Sequence, residues 1–279
     1  MSNTSSFPTH RHASTLICLA CALAALPLAG QAQQTELKAP DSLFGDKTDV
    51  NLGLGAAVSP RYMGARQTRV IPALAFSVSR GVFFADMLRG VGAEYLTDGG
   101  FYVSGALSYD PGRKDKDSSW RPGSKRLRGM GEVKGATTAD LQISQSITSW
   151  LSINGEAEFR MAGYQRGNRY RLGLESTLLH DGGDTITLGV NAHAGDSRYN
   201  RTYFGVSERQ HANSRFSRFN AKSGVYAYSA SLDWQHDFDE NWTLFMGVNL
   251  MEFSDRAHHS PIVEGDTGVT GFAMVNYTF

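Results

Sequence analysis

The chain contains 279 residues, of which 27 are lysine or arginine and 27 are aspartate or glutamate, so its formal net charge is zero. This balance argues against a nucleic-acid-binding protein, and the lack of any apolar run of about 20 residues after position 28 argues against a helical membrane protein. Thirty glycines, 11% aromatic residues and only 19% charged residues favour a β-rich architecture.

Residues 1–32 are typical of a cleaved secretory signal. Arg11 precedes an apolar segment at residues 16–28, and small side chains then fit the positions around a cleavage site. We therefore expect cleavage after Ala32, and we interpret residues 33–47 as a periplasmic lead-in. Both cysteines lie inside the signal, so the exported chain is expected to hold neither a disulfide nor a thiolate metal site.

Alternation of apolar and polar residues recurs after residue 48 and predicts β-strands. Within residues 151–161, for example, apolar or small side chains occupy the odd positions and polar ones the even positions. In a transmembrane barrel the apolar face meets lipid and the polar face lines the lumen. The pattern therefore predicts that residues 48–279 form an all-β, transmembrane, antiparallel up-and-down β-barrel.

Counting the alternating segments gives twelve predicted strands, and an even number is expected for a bacterial barrel made from one chain. The predicted strands lie near residues 49–58, 68–78, 81–86, 90–96, 101–109, 135–147, 150–161, 168–179, 185–196, 222–236, 242–252 and 270–279. A barrel of ten strands is the alternative, because residues 81–96 are also compatible with an irregular segment.

Short and long links alternate between the predicted strands. Turn-forming residues make short links at 97–100, 148–149, 180–184 and 237–241, whereas long polar stretches lie near 110–135, 197–221 and 253–269. Bacterial barrels have short periplasmic turns and long external loops. We therefore expect the long polar stretches to face the outside of the cell.

The chain ends in an aromatic residue after an alternating segment. Val275, Tyr277 and Phe279 share one predicted face, and this pattern resembles the C-terminal signal that barrel-assembly machinery reads in outer-membrane proteins. We therefore expect that machinery, together with outer-membrane lipid, among the partners of the protein.

Several short motifs carry a resemblance to a known family. They include a glycine pair, a Pro-x-Tyr-x-Gly turn and a later Ser-Pro pair. The matching residues are Gly53, Gly55, Pro60, Tyr62, Gly64, Pro72, Tyr203, Phe204, Ser260 and Pro261. In order and spacing they resemble the MipA/OmpV family of MltA-interacting outer-membrane proteins. Ala65 and His259 depart from the family pattern, which has an acidic or polar residue and often an aspartate at these positions.

The resemblance implies a Gram-negative outer-membrane location and a scaffolding role. The best-known family member links a periplasmic murein-cleaving lytic transglycosylase to a murein synthase, and other members are linked to adhesion or to stress and antibiotic response. A scaffold for murein enzymes is therefore the main functional expectation. A narrow channel for small solutes and a surface adhesin are the alternatives.

Charged residues of two neighbouring predicted strands face the predicted lumen. They are Glu156, Glu158, Arg160, Arg169, Arg171 and Glu175. Opposite charges across a strand pair stabilise a sheet, and narrow barrels fill with side chains, so a structural charge ladder is favoured. A charged constriction in a small pore is the alternative.

Charge is distributed unequally between the predicted loops and turns. Residues 112–135 and 197–221 carry an excess of lysine and arginine, which suits contact with anionic lipopolysaccharide or adhesion to an acidic surface. The short turns carry Asp98, Asp181, Asp184, Asp237, Asp239 and Glu240. These acids either dock a basic periplasmic partner or serve only as good turn residues.

One cluster of residues is a candidate for catalysis, namely Asp255, His258, His259 and Ser260. A serine–histidine pair needs hydrogen-bond reach and a third orienting group, and adjacent residues in a loop bounded by proline offer poor geometry. The sequence holds no G-x-S-x-G, H-E-x-x-H or P-loop motif. We therefore expect no enzyme activity, no cofactor and no metal site.

Overall fold

A computed structural model describes residues 43–162 and 166–279, which form a closed β-barrel. The predicted signal, its cleavage after Ala32 and most of the predicted lead-in lie outside the described residues. The strands are β1 Thr48–Pro60, β2 Thr68–Arg80, β3 Phe83–Asp86, β4 Gly90–Leu96, β5 Phe101–Asp110, β6 Ala136–Ser146, β7 Leu151–Arg160, β8 Arg169–Asp181, β9 Asp184–Gly195, β10 Gly224–Asp237, β11 Trp242–Phe253 and β12 Thr267–Thr278.

Each strand pairs antiparallel with its neighbours in the chain, and β1 pairs with β12 to close the sheet. The closing register sets Leu52 opposite Tyr277 and Val58 opposite Gly271. The prediction of an antiparallel, up-and-down, all-β barrel of twelve strands is therefore confirmed. Residues 81–96, which left ten strands as the alternative, form the short hairpin of β3 and β4.

Side chains alternate between the two faces of the sheet. On the outer face, Leu54 is 67% exposed and Leu172 is 61% exposed, whereas Asn249 and Asn276 on the inner face are buried. An apolar outer surface around a largely polar interior is the arrangement of a transmembrane barrel. Within residues 43–162 and 166–279, no helix is long and apolar enough to cross a membrane.

The two ends of the barrel differ in the length of their connections. One end carries short turns and aromatic side chains. There the ring centroid of Tyr277 lies 4.8 Å from that of Trp242 and 4.7 Å from that of Phe279. The short turns indicate the periplasmic end, and the aromatic side chains are typical of a membrane interface. The described part of the lead-in lies at this end, because the carbonyl of Leu43 accepts a hydrogen bond from the Val82 N–H at 3.0 Å.

Gly53 and Gly55 lie on the inner face of β1, where Met274 of β12 packs against them. A Cβ added at Gly55 would collide with the Ala273 carbonyl oxygen, whereas a Cβ added at Gly105 would meet nothing within 4 Å. We expect Gly55→Ala to destabilise the barrel by about 1–3 kcal/mol, a cost typical of overpacking. Urea unfolding followed by tryptophan fluorescence measures this, with Gly105→Ala as the matched control. Equal unfolding midpoints for the two variants would contradict the account.

The long outer segments are folded rather than merely polar. They contain a 3-10 helix at Lys125–Leu127 and the helices α1 Ser197–Phe204, α2 Glu208–Asn213 and α3 Asp255–His258. Leu127 and Ile262, which lie in two of these segments, are fully buried. The polar composition of these segments therefore did not indicate the helices and the buried apolar residues that they contain. We call residues 61–67, 111–135, 196–223 and 254–266 together the cap.

Candidate functional site

Four outer loops, which leave the barrel at different points of its rim, meet in one apolar cluster. Its buried members include Tyr62 before β2, Leu127 and Met130 before β6, Phe216 before β10 and Ile262 before β12. The strands that carry these loops lie on different sides of the closed barrel. The loops must therefore cross the outer mouth to make contact, so the cap covers the mouth.

A second apolar cluster joins the cap to the outer ends of the strands. Its aromatic members are Tyr199, Tyr203 and Phe204 of α1, Tyr226 of β10 and Phe253 of β11. The ring of Tyr226 lies 5.6 Å from Tyr199 and 5.2 Å from Phe204 between centroids. These contacts fix α1 against the barrel wall, because stacked and tilted aromatic pairs add to the stabilisation that burial provides.

The family-motif residues Tyr62 and Gly64 connect two distant loops of the cap. The Tyr62 hydroxyl donates a hydrogen bond to the Ile262 carbonyl at 2.9 Å, and Glu264 Oε2 lies 3.3 Å from the same hydroxyl. Gly64 adopts a φ of +88°, which favours glycine, and its carbonyl accepts from the Glu264 N–H at 2.7 Å. The turn that follows Pro60, the last residue of β1, therefore binds the β11–β12 loop.

Ser260 and Pro261 lie in the same β11–β12 loop, and their neighbours hold them in the cap. The Ser260 hydroxyl donates to the Phe204 carbonyl at 2.5 Å, at the end of α1. His259 Nδ1 lies 2.9 Å from the Asp255 carbonyl oxygen. Both side chains thus make structural contacts, and they do not form a nucleophile–base pair with each other. Within the described part of the chain, no group of three His, Cys, Asp or Glu side chains is placed to hold a metal ion.

The Tyr62 hydroxyl makes the stability of the cap fall with rising pH in the alkaline range. Burial, with a smaller contribution from the Glu264 carboxylate, raises the pKa of Tyr62 from 10.0 to about 12. The folded protein thus holds this proton more tightly than the unfolded chain does. The resulting stabilisation is complete below pH 10 and is lost as the pH rises through about 12.

We expect Tyr62→Phe to lower the stability of the cap by about 1–2 kcal/mol at neutral pH, because the Ile262 carbonyl loses its donor. The variant should also lose one phenol that titrates near pH 12. Ultraviolet difference spectroscopy of phenolate formation measures the second effect. Tyr109→Phe is the control, since Tyr109 is exposed. An unchanged high-pH titration in Tyr62→Phe would contradict the assignment.

In the lumen, four of the predicted ladder residues form a continuous run of ion pairs. Arg169 Nη2 lies 3.0 Å from Glu156 Oε1 and 2.8 Å from Glu158 Oε2, and Arg171 Nη2 lies 2.6 Å from Glu156 Oε2. The register of β7 and β8 sets Glu156 opposite Arg171 and Glu158 opposite Arg169. Opposite charges therefore face each other on adjacent strands, which stabilises the pairing.

The other two predicted ladder residues take different positions. Arg160 ends β7, where its backbone N–H donates to Asn168 Oδ1 at 3.1 Å. Glu175 is buried on β8 and joins none of the ion pairs among the described residues. Glu156, Glu158, Arg169 and Arg171 thus form the central run of the predicted ladder.

Arg166 and Asp110, which the sequence analysis missed, extend the ladder from the lumen into the cap. Arg166 contacts Glu158, and its Nε lies 2.5 Å from Asp110 Oδ2. The same Asp110 oxygen accepts a hydrogen bond from the Tyr203 hydroxyl at 2.7 Å. Burial alone would lower the pKa of Arg166, but the Glu158 and Asp110 carboxylates raise it above its ordinary value. Contacts between charged and polar groups therefore run without a break from Arg171 to α1.

The remaining predicted residues lie on the lipid-facing side of the barrel. Pro72 lies near the middle of β2 with its ring on the outer face. Val275 and Tyr277 lie on the lipid-facing side of β12, and Phe279 directly follows the end of that strand. The Phe279 N–H donates to the Val50 carbonyl at 3.0 Å, so the end of the chain continues the seam that closes the barrel.

The closed antiparallel barrel, apolar outside and capped at its long-loop end, defines the chain as a transmembrane β-barrel protein. The family model described as "MltA-interacting protein MipA" matches residues 52–279. The chain therefore belongs to the MipA family, as its motifs predict. A comparison with curated proteins finds no match.

Several solved barrel structures are similar to this chain. Pseudomonas putida OprB is 15% identical with a TM-score of 0.36; the match covers 75% of this chain, which spans 59% of OprB. The NanC porin is 11% identical with a TM-score of 0.39, covering 83% of this chain and 99% of NanC. The CymD monoaromatic hydrocarbon channel is 10% identical with a TM-score of 0.42, covering 84% of this chain and 88% of CymD.

Proposed function

We propose that this protein is a non-catalytic outer-membrane anchor for a murein-cleaving lytic transglycosylase of the periplasm, and for a murein synthase held by the same complex. The observation that carries the proposal is the cap. Because it covers the outer mouth, it suits an anchor better than an open pore. Membership of a family named for interaction with MltA supports a murein enzyme as the partner. Export with a cleaved signal, as predicted for residues 1–32, belongs to the same proposal.

The acidic short-turn end is the proposed docking surface. Three of its acids already stabilise turns or strand ends: Asp184 accepts from Trp234 Nε1 at 2.8 Å, Asp237 from Thr243 and Asp239 from the Trp242 N–H. Asp98, Asp181 and Glu240 are exposed, and their carboxylates make no ion pair or hydrogen bond with the described residues. These three carboxylates remain accessible to a basic partner, and complementary charge accelerates association.

A capture experiment tests the docking proposal. The refolded barrel is crosslinked in periplasmic extract, and the captured proteins are identified by mass spectrometry. We expect a lytic transglycosylase or a murein synthase with the native barrel, and at least about tenfold less with the triple variant Asp98→Asn, Asp181→Asn, Glu240→Gln. Asp239→Asn is the control, since that acid serves its own turn. Capture of no murein enzyme, or equal capture by the triple variant, would contradict the proposed surface.

The exposed surface of the cap supports contact with lipopolysaccharide. Lys116, Lys125, Arg128, Arg209 and Arg215 are all exposed on it. Basic side chains near an anionic membrane surface each contribute about 1 kcal/mol of attraction. We propose that these residues face the sugar-phosphate layer, and that the C-terminal segment with Phe279 is read by barrel-assembly machinery during insertion.

A narrow channel is the second candidate function. The observation in its favour is the polar inner face near the short-turn end, where Asn51, Asn276 and Thr278 are buried and Thr278 Oγ1 donates to Asn51 Oδ1 at 2.6 Å. A polar lining suits small hydrated solutes. Passage would require the cap to open, and single-channel conductance separates this function from the anchor.

A further inference from the structure

The outer half of the barrel wall is incomplete between β2 and β5. The β2 strand pairs with β1 along its whole length, but it pairs with β3 only from Ser77 to Arg80. Among the described residues, no strand therefore pairs with residues 68–75 on the β3 side. The hairpin of β3 and β4 is too short to reach the outer rim, so the described part of the wall lacks two strands above it.

The hydrogen bonds show which backbone groups face this gap. The Met87 N–H donates to the Phe76 carbonyl at 2.9 Å. Because peptide groups alternate in direction along a strand, even-numbered residues of β2 point their backbone groups towards β3. Val70 and Leu74 therefore direct their N–H groups into the gap, and neither has a hydrogen-bond partner there among the described residues. Pro72, between them, carries no N–H.

The opposite side of the gap is formed by β5. Pairing of β4 with β5 ends where Val91 meets Leu107. The Thr97 N–H donates to the Phe101 carbonyl at 2.8 Å, so odd-numbered residues of β5 point their backbone groups towards β4. Tyr109 lies beyond the last pair and directs its backbone groups into the same gap from the other side.

The cap closes the gap at the outer rim. Asp117 of the segment after β5 pairs with Arg61 at 3.6 Å, and Arg69 Nη1 of β2 donates to the Arg121 carbonyl at 2.6 Å. The result is an opening in the wall, bounded by β2, β5, the β3–β4 turn and the cap; we call it the wall gap. Two missing strands make it roughly 14 Å wide between the β2 and β5 backbones, at about 4.8 Å per strand spacing.

The surroundings of the wall gap are apolar, although its edges are polar. Val70 is 72% exposed on the outer surface, and Met87, Leu107 and Tyr109 are also exposed. Behind β2, the inner face carries a buried apolar cluster of Ala57, Ile71, Ala73, Phe245 and Met274. An open strand edge does not persist in hydrocarbon, where each unpaired group costs several kcal/mol, unless it lines water or a bound polar group.

We propose that the wall gap is a binding site for an alkyl-chain amphiphile of the outer leaflet. The head of the amphiphile accepts hydrogen bonds from the Val70 and Leu74 N–H groups, and the chain lies on the apolar surface beside them. Arg89, at the base of the gap, does not serve as the head-group ligand, because it pairs with Glu94 at 2.6 Å and stacks on Phe84 at 3.9 Å. This site does not depend on the proposed murein function.

Amide hydrogen exchange in lipid nanodiscs, resolved by NMR, tests the proposal. The Val70 and Leu74 amides should exchange at least about 100-fold faster than the Ile71 and Ala73 amides, which face β1. Addition of dodecanoate should slow exchange at Val70 and Leu74 by about tenfold and leave Ile71 unchanged. Slow exchange at Val70 and Leu74 without dodecanoate, and without nuclear Overhauser effects from these amides to lipid protons, would show a closed wall and overturn the proposal. Slow exchange with such effects would place a nanodisc lipid in the site and support it. Fast exchange that dodecanoate does not slow would overturn the binding site.

A variant provides a second readout that leaves the β1–β2 ladder intact. Pro72→Ala adds one N–H on the gap side of β2, and Pro72 does not donate to β1 in the native pairing. The amide introduced at position 72 should exchange as fast as that of Val70 and should be slowed by dodecanoate to the same degree. Protection of this amide without dodecanoate, and without nuclear Overhauser effects to lipid protons, would contradict an open edge.

Discussion

Arg169→Leu should lower the free energy of unfolding of the barrel by about 3–5 kcal/mol. Arg169 lies within 3.0 Å of both Glu156 and Glu158, and its removal leaves buried carboxylates without this counter-charge. Glu156 keeps Arg171 and Glu158 keeps Arg166, so most of the cost is the excess negative charge left in the buried network rather than the loss of one attractive contact. Urea unfolding in lipid vesicles, followed by tryptophan fluorescence, measures the change.

Two matched variants separate this effect from a general response to mutation. Adding Glu158→Gln to Arg169→Leu should recover part of the lost stability, because one uncompensated charge disappears. Arg218→Ala removes an exposed ion pair with Glu208, whose groups are 3.5 Å apart, and should cost about 0–1 kcal/mol. If Arg169→Leu were no more destabilising than Arg218→Ala, the charge ladder would not be structural.

Leu127→Asp should open the cap while the barrel stays folded. Leu127 is 0% exposed, in contact with an apolar cluster that spans four loops, and a buried carboxylate without a partner is strongly unfavourable there. A cost of about 3 kcal/mol raises the population of open caps by about 100-fold. Trypsin cleavage after Lys125, Arg126 and Arg128 should accelerate by a similar factor, since cleavage follows the open population when closing is fast.

Trp120→Asp is the control for Leu127→Asp. Trp120 lies in the same segment but is 67% exposed, so its replacement should leave the rate of cleavage within about twofold of the native rate. Migration of the unheated protein on SDS gels reports whether the barrel itself remains folded. Equal cleavage of the two variants would show that the segment is not held by an apolar core.

The strands of this fold could be predicted because each one shows a local alternation of apolar and polar residues. Alternation within residues 151–161 or 185–196 depends only on neighbours in the chain, and every outward position must be apolar or small to meet lipid. The same reasoning found β3 and β4 as short segments near residues 81–96. It did not show that their shortness leaves an opening in the wall, because that depends on where β2 and β5 end relative to them.

The cap could not be predicted, because its core is assembled from isolated residues. Leu127, Met130, Phe216 and Ile262 lie in different loops, and no periodicity links them. The family resemblance singled out Tyr62 as a matched motif residue. The contact of the Tyr62 hydroxyl with Ile262, however, joins positions 200 apart and depends on loops that meet only after the barrel closes.

The charge ladder could be predicted from the sequence only in part, for a related reason. Glu156, Glu158, Arg169 and Arg171 could be grouped because strand alternation places them on one face of adjacent strands. Asp110 and Arg166 stand at the end of a strand and in a loop, where alternation gives no direction. Their contacts with Glu158 and Tyr203 depend on how the cap folds over the mouth.

Together, the ladder and the cap support a barrel that serves as an anchor instead of a pore. The ladder occupies the side of the lumen formed by β7 and β8, and Arg166 connects it to α1 of the cap through Asp110 and Tyr203. One continuous set of contacts therefore both stabilises the barrel wall and holds the cap over the outer mouth. The short-turn end, with exposed Asp98, Asp181 and Glu240, is then the surface on which a periplasmic partner would act.

Single-channel recording of the intact protein in planar lipid bilayers tests this account most directly. We expect no stable ohmic conductance from the native barrel, because the cap covers its outer mouth, and conductance steps from Leu127→Asp inserted in the same way. The variant thus controls for insertion. Stable open-channel conductance from the native protein, equal to that of Leu127→Asp, would contradict the closed anchor and favour the channel.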